Sequence, residues 1–205
     1  MDKIKVIGKQ TLSGKIYISG SKNSVVSLLP AAILSDECVI EKVPHISDVL
    51  DLEDILRFLN VRFSLESGTI HLDSRQMVNK PILEEYSSKL RASYYFMGAM
   101  LARFNKVEIS FPGGCNIGKR SFDFHLKGFE KLGAKVTISD DLYRIEADEL
   151  KGAVIDLPFP SVGATVNILL AAVKASGKSV INNAACEPEI ENLIEFLISM
   201  GAKIK

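Results

Sequence analysis

Cationic side chains stand at several places where the sequence predicts that a helix begins. Lys22 and Arg91 are each predicted to open a buried helix, while Lys119 and Arg120 directly precede Ser121, where an amphipathic helix should start. A helix N-terminus already carries about half a positive charge, so a cation there costs ~0.3–1 kcal/mol unless an anion is bound. Cations gathered near free backbone N–H groups are typical of anion-binding sites. The pattern therefore predicts a pocket for a phosphorylated ligand.

A glycine-rich loop, "PGGCNIGKR" at residues 112–120, places Cys115 close to two of these cations. Neighbouring positive charge and a following helix N-terminus favour the thiolate form of a cysteine. Cys115 is therefore predicted to act as a proton donor or nucleophile. Cys38 and Cys186, in contrast, are predicted to be small buried hydrophobic residues.

A lone lysine or arginine is most often an ordinary solvated surface residue. These cations differ because they recur at equivalent positions of similar segments. Alignment of three similar segments brings Lys22, Arg91 and Gly163 to one position, the first turn of a helix that is apolar on every side. A serine just upstream of each is predicted to cap that helix: Ser21, Ser88 and Ser161.

The composition restricts the remaining choices. Twenty-five basic residues balance twenty-five acidic ones, which argues against nucleic acid or an anionic membrane as a partner. Three cysteines and three histidines, all far apart, predict neither a disulfide nor a metal site, and no cofactor is expected. The apolar runs reach about ten residues, against the ~20 that a membrane span needs. A soluble, cytoplasmic globular protein is expected.

Three units of about seventy residues follow one pattern of buried helix, strand, amphipathic helix and strand. They cover about residues 21–88, 89–158 and 159–205. The first two should close with hairpins, at residues 62–72 and 135–145, whereas the third ends before a return strand. Residues 1–20 fall outside the units and are predicted to form a separate hairpin. The fold class is α+β, with the apolar helices inside.

Six stretches share their order and spacing with one enzyme family: residues 20–23, 90–93, 112–120, 123–128, 160–165 and 187–190. In these stretches the chain resembles the UDP-N-acetylglucosamine enolpyruvyl transferases, along its whole length but over only about the first half of such an enzyme. The resemblance implies two domains, each made of three units with helices inward and sheets outward (an inverse α/β barrel). It also implies that residues 1–20 belong to the other domain and residues 21–205 form this one.

The implied reaction transfers an enolpyruvyl group from phosphoenolpyruvate to the sugar 3-hydroxyl of UDP-N-acetylglucosamine in peptidoglycan synthesis, without a metal. By resemblance, Lys22, Arg91 and Arg120 hold the phosphoenolpyruvate anion. Cys115 is implied as the proton donor and as the site that fosfomycin attacks. Asp48 matches an acidic position near the lysine, although it would cap a helix equally well.

The resemblance also implies a set of residues that bind the nucleotide sugar. Asn23 would contact the acetylated sugar. The uridine would be bound by residues 120–124, with Asp123 accepting from the uracil and Phe124 beside it. The diphosphate would be bound by the amides of the turn Ser161, Val162 and Gly163.

The resemblance implies that the family's general base for the sugar hydroxyl, and the arginine that closes on the substrate carboxylate, belong to sequence that would follow Lys205. The chain is therefore expected to be inactive by itself. An unpaired edge at residues 202–205 and the N-terminal hairpin predict self-association or a partner chain that supplies the other half. The alternative is a non-catalytic truncated paralogue that binds a nucleotide sugar or another protein. The related shikimate-pathway enolpyruvyl transferase is disfavoured by the cysteine loop and the Arg-x-x-Asp pattern.

Overall fold

The structure, a computed structural model, describes residues 3–113, 122–139 and 141–205. Its helices are α1 (Lys22–Ala32), α2 (Ser47–Phe58), α3 (Glu84–Ser87), α4 (Tyr95–Phe104), α5 (Asp123–Lys131), α6 (Val162–Ala172) and α7 (Pro188–Ser199), and a 3-10 turn at Arg91–Tyr94 leads into α4. The strands are β1 (Glu37–Ile40), β2 (Arg62–Glu66), β3 (Thr69–Asp73), β4 (Lys106–Ser110), β5 (Lys135–Ser139), β6 (Leu142–Glu146), β7 (Val154–Asp156) and β8 (Val180–Asn182).

The three predicted buried helices form the centre of the fold. Residues 95–102 of α4 and residues 164–171 of α6 are buried without exception, as expected for helices that are apolar on every side. These two helices pack extensively against each other, while α1 packs on α7 and α5 packs on α6. Among the described helices, none has both the length and the apolar character that crossing a membrane requires.

The strands form two antiparallel sheets and one parallel pair. The sheets have the orders β1-β3-β2 and β4-β6-β5, and β7 pairs with β8. In β3, Ile70 and Leu72 are buried while His71 between them is exposed, so one face of that sheet covers the core. Ser67 and Gly68 both have positive φ, which is typical of the tight turn that joins two strands of a hairpin. Both predicted hairpins are confirmed.

The outer helices α2, α5 and α7 end alike, which explains why three sequence segments look alike. Each is followed by a residue in the left-handed region: Asn60, Gly133 and Gly201. The next N–H then donates to a carbonyl five residues back, from Val61 to Leu56, from Ala134 to Phe129 and from Ala202 to Leu197. This pairing satisfies the last carbonyls of each helix and turns the chain toward the next segment.

The N-terminal hairpin predicted for residues 1–20 is not formed in the described part of that segment. Residues 3–20 contain neither helix nor strand, and Ile4 and Leu12 are more than nine-tenths exposed. Two strands without a third strand or a helix to cover them are marginally stable in water. That the segment belongs to another domain stays a prediction.

Two smaller predictions are corrected, and one strand was missed. Ser88 does not cap the start of the buried helix but follows the end of α3, and Leu90, which precedes the turn at Arg91, makes no side-chain cap bond. Cys186 is exposed rather than buried, since the loop after β8 carries it at the surface. Strand β7 was not predicted; it is three residues long, and only its central residue, Ile155, is buried.

Candidate nucleotide-sugar site

A cavity of about 700 Å³ opens where the first turns of the three central helices meet. Asn23 of α1, Arg91 of the turn before α4 and Gly163 of α6 all line it. Its volume is in the range of pockets that hold small organic ligands. The structure thus brings together the first turns predicted from three separate segments, although at the first of the three aligned positions Asn23, the neighbour of Lys22, lines the cavity.

The first turn of α6 offers two backbone donors to this cavity. The Ser161 hydroxyl caps the helix by accepting from the N–H of Ala164 at 3.4 Å. Within the described part of the chain, no acceptor bonds to the N–H groups of Val162 and Gly163, both of which line the cavity. Unbonded N–H groups at a helix N-terminus bind anions.

Gly163 allows the neighbouring rings to approach the helix closely. A β-carbon added at this position would lie 2.7 Å from Oη of Tyr94 and 3.1 Å from Cε1 of His125. Any other residue would therefore push these rings away or project into the cavity.

Lys22 and Asp48 form an ion pair at the edge of this region. Nζ of Lys22 lies 2.5 Å from Oδ1 of Asp48; the lysine side chain is 58% exposed and the aspartate 12%. Asp48 lies in the first turn of α2, where a negative charge is also favourable for the helix. Lys22 is not among the residues that line the cavity, although the adjacent Asn23 is.

Two side-chain contacts hold α1 against α7 beside the cavity. Nδ2 of Asn23 donates to Oε1 of Glu189 at 3.0 Å, and the Ser24 hydroxyl donates to Oδ1 of Asn192 at 2.9 Å. The Asn23 amide is thereby oriented, with its oxygen left to accept. Glu189 lines the cavity and was not assigned a role from the sequence.

Aromatic rings form another part of the cavity wall. Phe124 and Phe159 both line it and meet edge to face, with their centroids 5.1 Å apart. Phe159 is 52% exposed. The Arg91 guanidinium lies over the Phe122 ring, 5.0 Å from its centroid.

Besides Lys22 and Asp48, three further predicted site residues are not placed at the cavity. Asp123 opens α5 and is exposed, outside the set of cavity-lining residues. Cys115 and Arg120 lie outside the described residues, so the predictions for the cysteine loop stay predictions. Within the described ranges, no group of three His, Cys, Asp or Glu side chains could hold a metal ion.

His125 borders the cavity and was missed by the sequence analysis. Its side chain is 5% exposed, and its Nδ1 lies 2.9 Å from Nδ2 of the buried Asn167. Burial, and then the charge of Arg91, lower the pKa of His125 from 6.5 to about 3. Burial also raises the pKa of Tyr95 at the same cavity, so both groups are neutral near pH 7. Asn167 could have pointed to this pair in the sequence, because it is a polar residue inside an apolar helix.

The depressed pKa of His125 predicts a loss of stability in mild acid. Below pH 6.5 the unfolded chain takes up a proton that the folded ring does not, whereas above pH 6.5 both states are neutral. Lowering the pH from about 7 to about 5 should therefore decrease the free energy of unfolding by about 2 kcal/mol through this ring. Urea unfolding at both pH values measures it. His125→Gln should remove this part of the pH dependence; an unchanged dependence in that variant would contradict the assignment.

Comparison with known proteins relates the chain to one group of enzymes. The sequence profile of the family described as EPSP synthase (3-phosphoshikimate 1-carboxyvinyltransferase) matches residues 6–205. UDP-N-acetylglucosamine 1-carboxyvinyltransferase 2 of Bacillus subtilis is 48% identical over 206 residues, covering 100% of this chain and 48% of the relative. The protein of the same name from Listeria monocytogenes is 51% identical over 205 residues, with the same coverage.

Solved structures show the same fold at lower identity. The enolpyruvyl transferase NikO from Streptomyces tendae superposes with a TM-score of 0.83 at 20% identity, over 97% of this chain and 47% of its own. EPSP synthase from Acinetobacter baumannii gives a TM-score of 0.67 at 18% identity, over 94% of this chain and 44% of its own. The chain spans about half the length of the curated relatives it matches. It belongs to the EPSP synthase family of carboxyvinyl transferases, as a half-length homologue of the UDP-N-acetylglucosamine 1-carboxyvinyltransferases.

Proposed function

We propose that this chain forms the nucleotide-sugar half of a UDP-N-acetylglucosamine 1-carboxyvinyltransferase of peptidoglycan synthesis, acting in the cytoplasm. One observation carries the proposal: the first turns of α1, α4 with its 3-10 turn, and α6 line a single cavity. Helix N-termini from three segments, together with Arg91, suit a ligand with several negative charges. The names of the relatives support UDP-N-acetylglucosamine as that ligand.

In this proposal, residues 21–205 are one domain of three units, at about 21–88, 89–158 and 159–205. The shared helix ends at Asn60, Gly133 and Gly201 support this division. Residues 1–20 would pair with the domain formed by the second half of the enzyme. The exposed apolar side chains of residues 3–20 support that assignment, because such a segment is stable when another surface covers it.

The proposed pose of UDP-N-acetylglucosamine follows the cavity wall. The diphosphate accepts from the N–H groups of Val162 and Gly163, and the uracil lies near Phe124 within range of Asp123. The acetylated sugar lies at the opposite end, where the oxygen of Asn23 accepts a hydrogen bond. The Asn23–Glu189 bond supports this placement because it turns the amide oxygen away from Glu189.

The proposed chemistry is addition followed by elimination. The sugar 3-hydroxyl oxygen bonds to C2 of phosphoenolpyruvate while C3 gains a proton from Cys115. C3 then loses a proton as the C2–O bond to phosphate breaks, which releases inorganic phosphate. Lys22, Arg91 and Arg120 neutralise the phosphate and carboxylate charges. The base for the 3-hydroxyl would come from the second half, supplied by a partner chain or by the rest of a longer protein.

Calorimetric titration of the 205-residue chain with UDP-N-acetylglucosamine tests the binding half of the proposal. Saturable binding that Arg91→Ala weakens, with no phosphate release on adding phosphoenolpyruvate, is the expected result. Arg62→Ala is the matched control, since that arginine lies on the exposed face of β2. Absence of nucleotide-sugar binding by the folded wild-type chain would refute the proposal.

Fosfomycin labelling in the presence of UDP-N-acetylglucosamine tests the role of Cys115. Mass spectrometry should find the adduct on Cys115 and none after Cys115→Ser. The other thiols are internal controls: burial raises the pKa of Cys38 to about 11, whereas Cys186 is exposed. Equal labelling of Cys186 would show unselective alkylation and would contradict an activated Cys115.

A further inference from the structure

His125 is a buried polar side chain at the cavity to which the proposed binding scheme gives no role. Its ring packs edge to face on Tyr94 and Phe122, with centroids 5.1 and 5.3 Å away. Nδ1 is bonded to Asn167, while no described residue makes a hydrogen bond to Nε2. An imidazole nitrogen without a described protein partner, on a buried ring beside a cavity, is suited to a ligand atom.

Asn167 determines which nitrogen of this ring carries the proton. Its Oδ1 accepts from the backbone N–H of Gly98 at 2.8 Å, which fixes the orientation of the amide. Nδ2 therefore faces His125, and an amide nitrogen can only donate. Nδ1 must accept this bond, so the neutral ring carries its proton on Nε2.

The ring lies beside the part of the cavity that suits an anion. A β-carbon on Gly163 would lie 3.1 Å from Cε1 of His125, the ring carbon between Nδ1 and Nε2, so this edge of the ring adjoins the first turn of α6. The unbonded N–H groups of Val162 and Gly163 belong to that turn. The positive charge of Arg91 is close enough to lower the pKa of the ring.

We propose that Asn167 holds His125 as the neutral Nε2–H tautomer, and that this N–H donates to a phosphate oxygen of the ligand bound at the first turn of α6. The ring then acts with the two α6 amides as a third donor that adds no charge. The identity of the ligand, the diphosphate of UDP-N-acetylglucosamine, rests on the proposed function, whereas the tautomer does not.

The groups that surround the ring keep it neutral. The turn before α4 contributes the Arg91 cation and the Tyr94 phenol, α6 contributes the neutral amide of Asn167, and Tyr143 of β6 lies behind Phe122. Asp123 lies two residues away on the same helix and is exposed. Burial and Arg91 both lower the pKa of the ring, so protonation does not compete with the proposed contact near pH 7.

Nitrogen-15 spectra of the histidine rings in the wild-type chain test the tautomer directly. Protonated and unprotonated ring nitrogens have well-separated shifts, and we expect Nε2 of His125 to be protonated from about pH 5 to about pH 8. Asn167→Asp should place a proton on Nδ1, because a carboxylate can only accept. A wild-type spectrum with the proton on Nδ1, or a ring that becomes charged across this range, would overturn the proposal.

Two substitutions separate donation from packing in calorimetric titrations with UDP-N-acetylglucosamine and with UDP. His125→Phe keeps a ring but removes both nitrogens, and should weaken both ligands about tenfold, the effect of losing one hydrogen bond to a charged group. His125→Gln places an amide N–H near the position of Nε2 and should restore most of the affinity. His71→Phe on the exposed face of β3 is the control.

The outcomes distinguish this proposal from the proposed function. Unchanged affinity in a folded His125→Phe variant would overturn the contact while leaving nucleotide-sugar binding intact. Equal losses in His125→Phe and His125→Gln would show a packing effect and would also overturn it. A wild-type chain that binds neither UDP nor UDP-N-acetylglucosamine would refute the proposed function and the ligand contact, while the spectra would still decide the tautomer.

Discussion

Gly163→Val is expected to weaken UDP-N-acetylglucosamine binding by about a hundredfold or more, because it fills the cavity and displaces two of its rings. Even a β-carbon at this position would lie 2.7 Å from Tyr94 Oη, and valine adds two methyl groups. Tyr94 packs on Phe122 and His125, so its displacement would disturb the whole aromatic corner. Calorimetric titration measures the affinity, and urea unfolding shows whether the variant remains folded.

Ala172→Val is the matched control for Gly163→Val. It adds a β-branched side chain to the same helix, at the end remote from the cavity. Both variants incur the cost of valine in a helix, but the control should bind the nucleotide sugar as the wild type does. Wild-type affinity in a folded Gly163→Val variant would mean that the ligand does not occupy this cavity.

Most of the fold could be predicted because its signals are local. The unbroken apolar runs of α4 and α6 indicated burial on every side, and both helices are buried in that way. Ser67-Gly68 indicated the turn of the first hairpin, and both residues have the positive φ that such a turn needs. The prediction for residues 3–20 failed because their alternating pattern favours a strand, and a strand forms only when another strand or a helix packs on it.

The parts of the candidate site that come from repeated sequence segments could be predicted. The parts that depend on contacts between residues distant in sequence could not. Arg91 and Gly163 could be placed together because they occupy equivalent positions in similar segments, and both line one cavity. At the third equivalent position, Lys22 lies outside the cavity and its neighbour Asn23 lines it. Glu189 meets Asn23 across 166 residues, and no local pattern marks such a pair. The sequence left the role of Asp48 open between a helix cap and an acidic position near the lysine, and the structure joins Asp48 to Lys22 in an ion pair.

Gly98→Ala is expected to lower the free energy of unfolding by about 3 kcal/mol, although alanine normally favours a helix over glycine. Gly98 lies at the contact between α4 and α6, and its N–H donates to the Asn167 side chain. An added β-carbon would overlap the backbone oxygen of Asn167, far inside van der Waals contact. A backbone atom in the middle of a buried helix cannot move aside, so the two helices must separate and lose packing.

Gly128→Ala tests whether backbone overlap is the cause. Gly128 also faces α6, but there a β-carbon would meet the end of the Ile168 side chain, which another rotamer can move. The cost should be about 1 kcal/mol, well below that of Gly98→Ala. Urea unfolding of both variants near pH 7 measures the difference. Equal losses, or a Gly98→Ala variant as stable as the wild type, would show that α4 and α6 can separate at little cost. The hydrogen bond that orients Asn167 toward His125 would then not be held by the helix crossing.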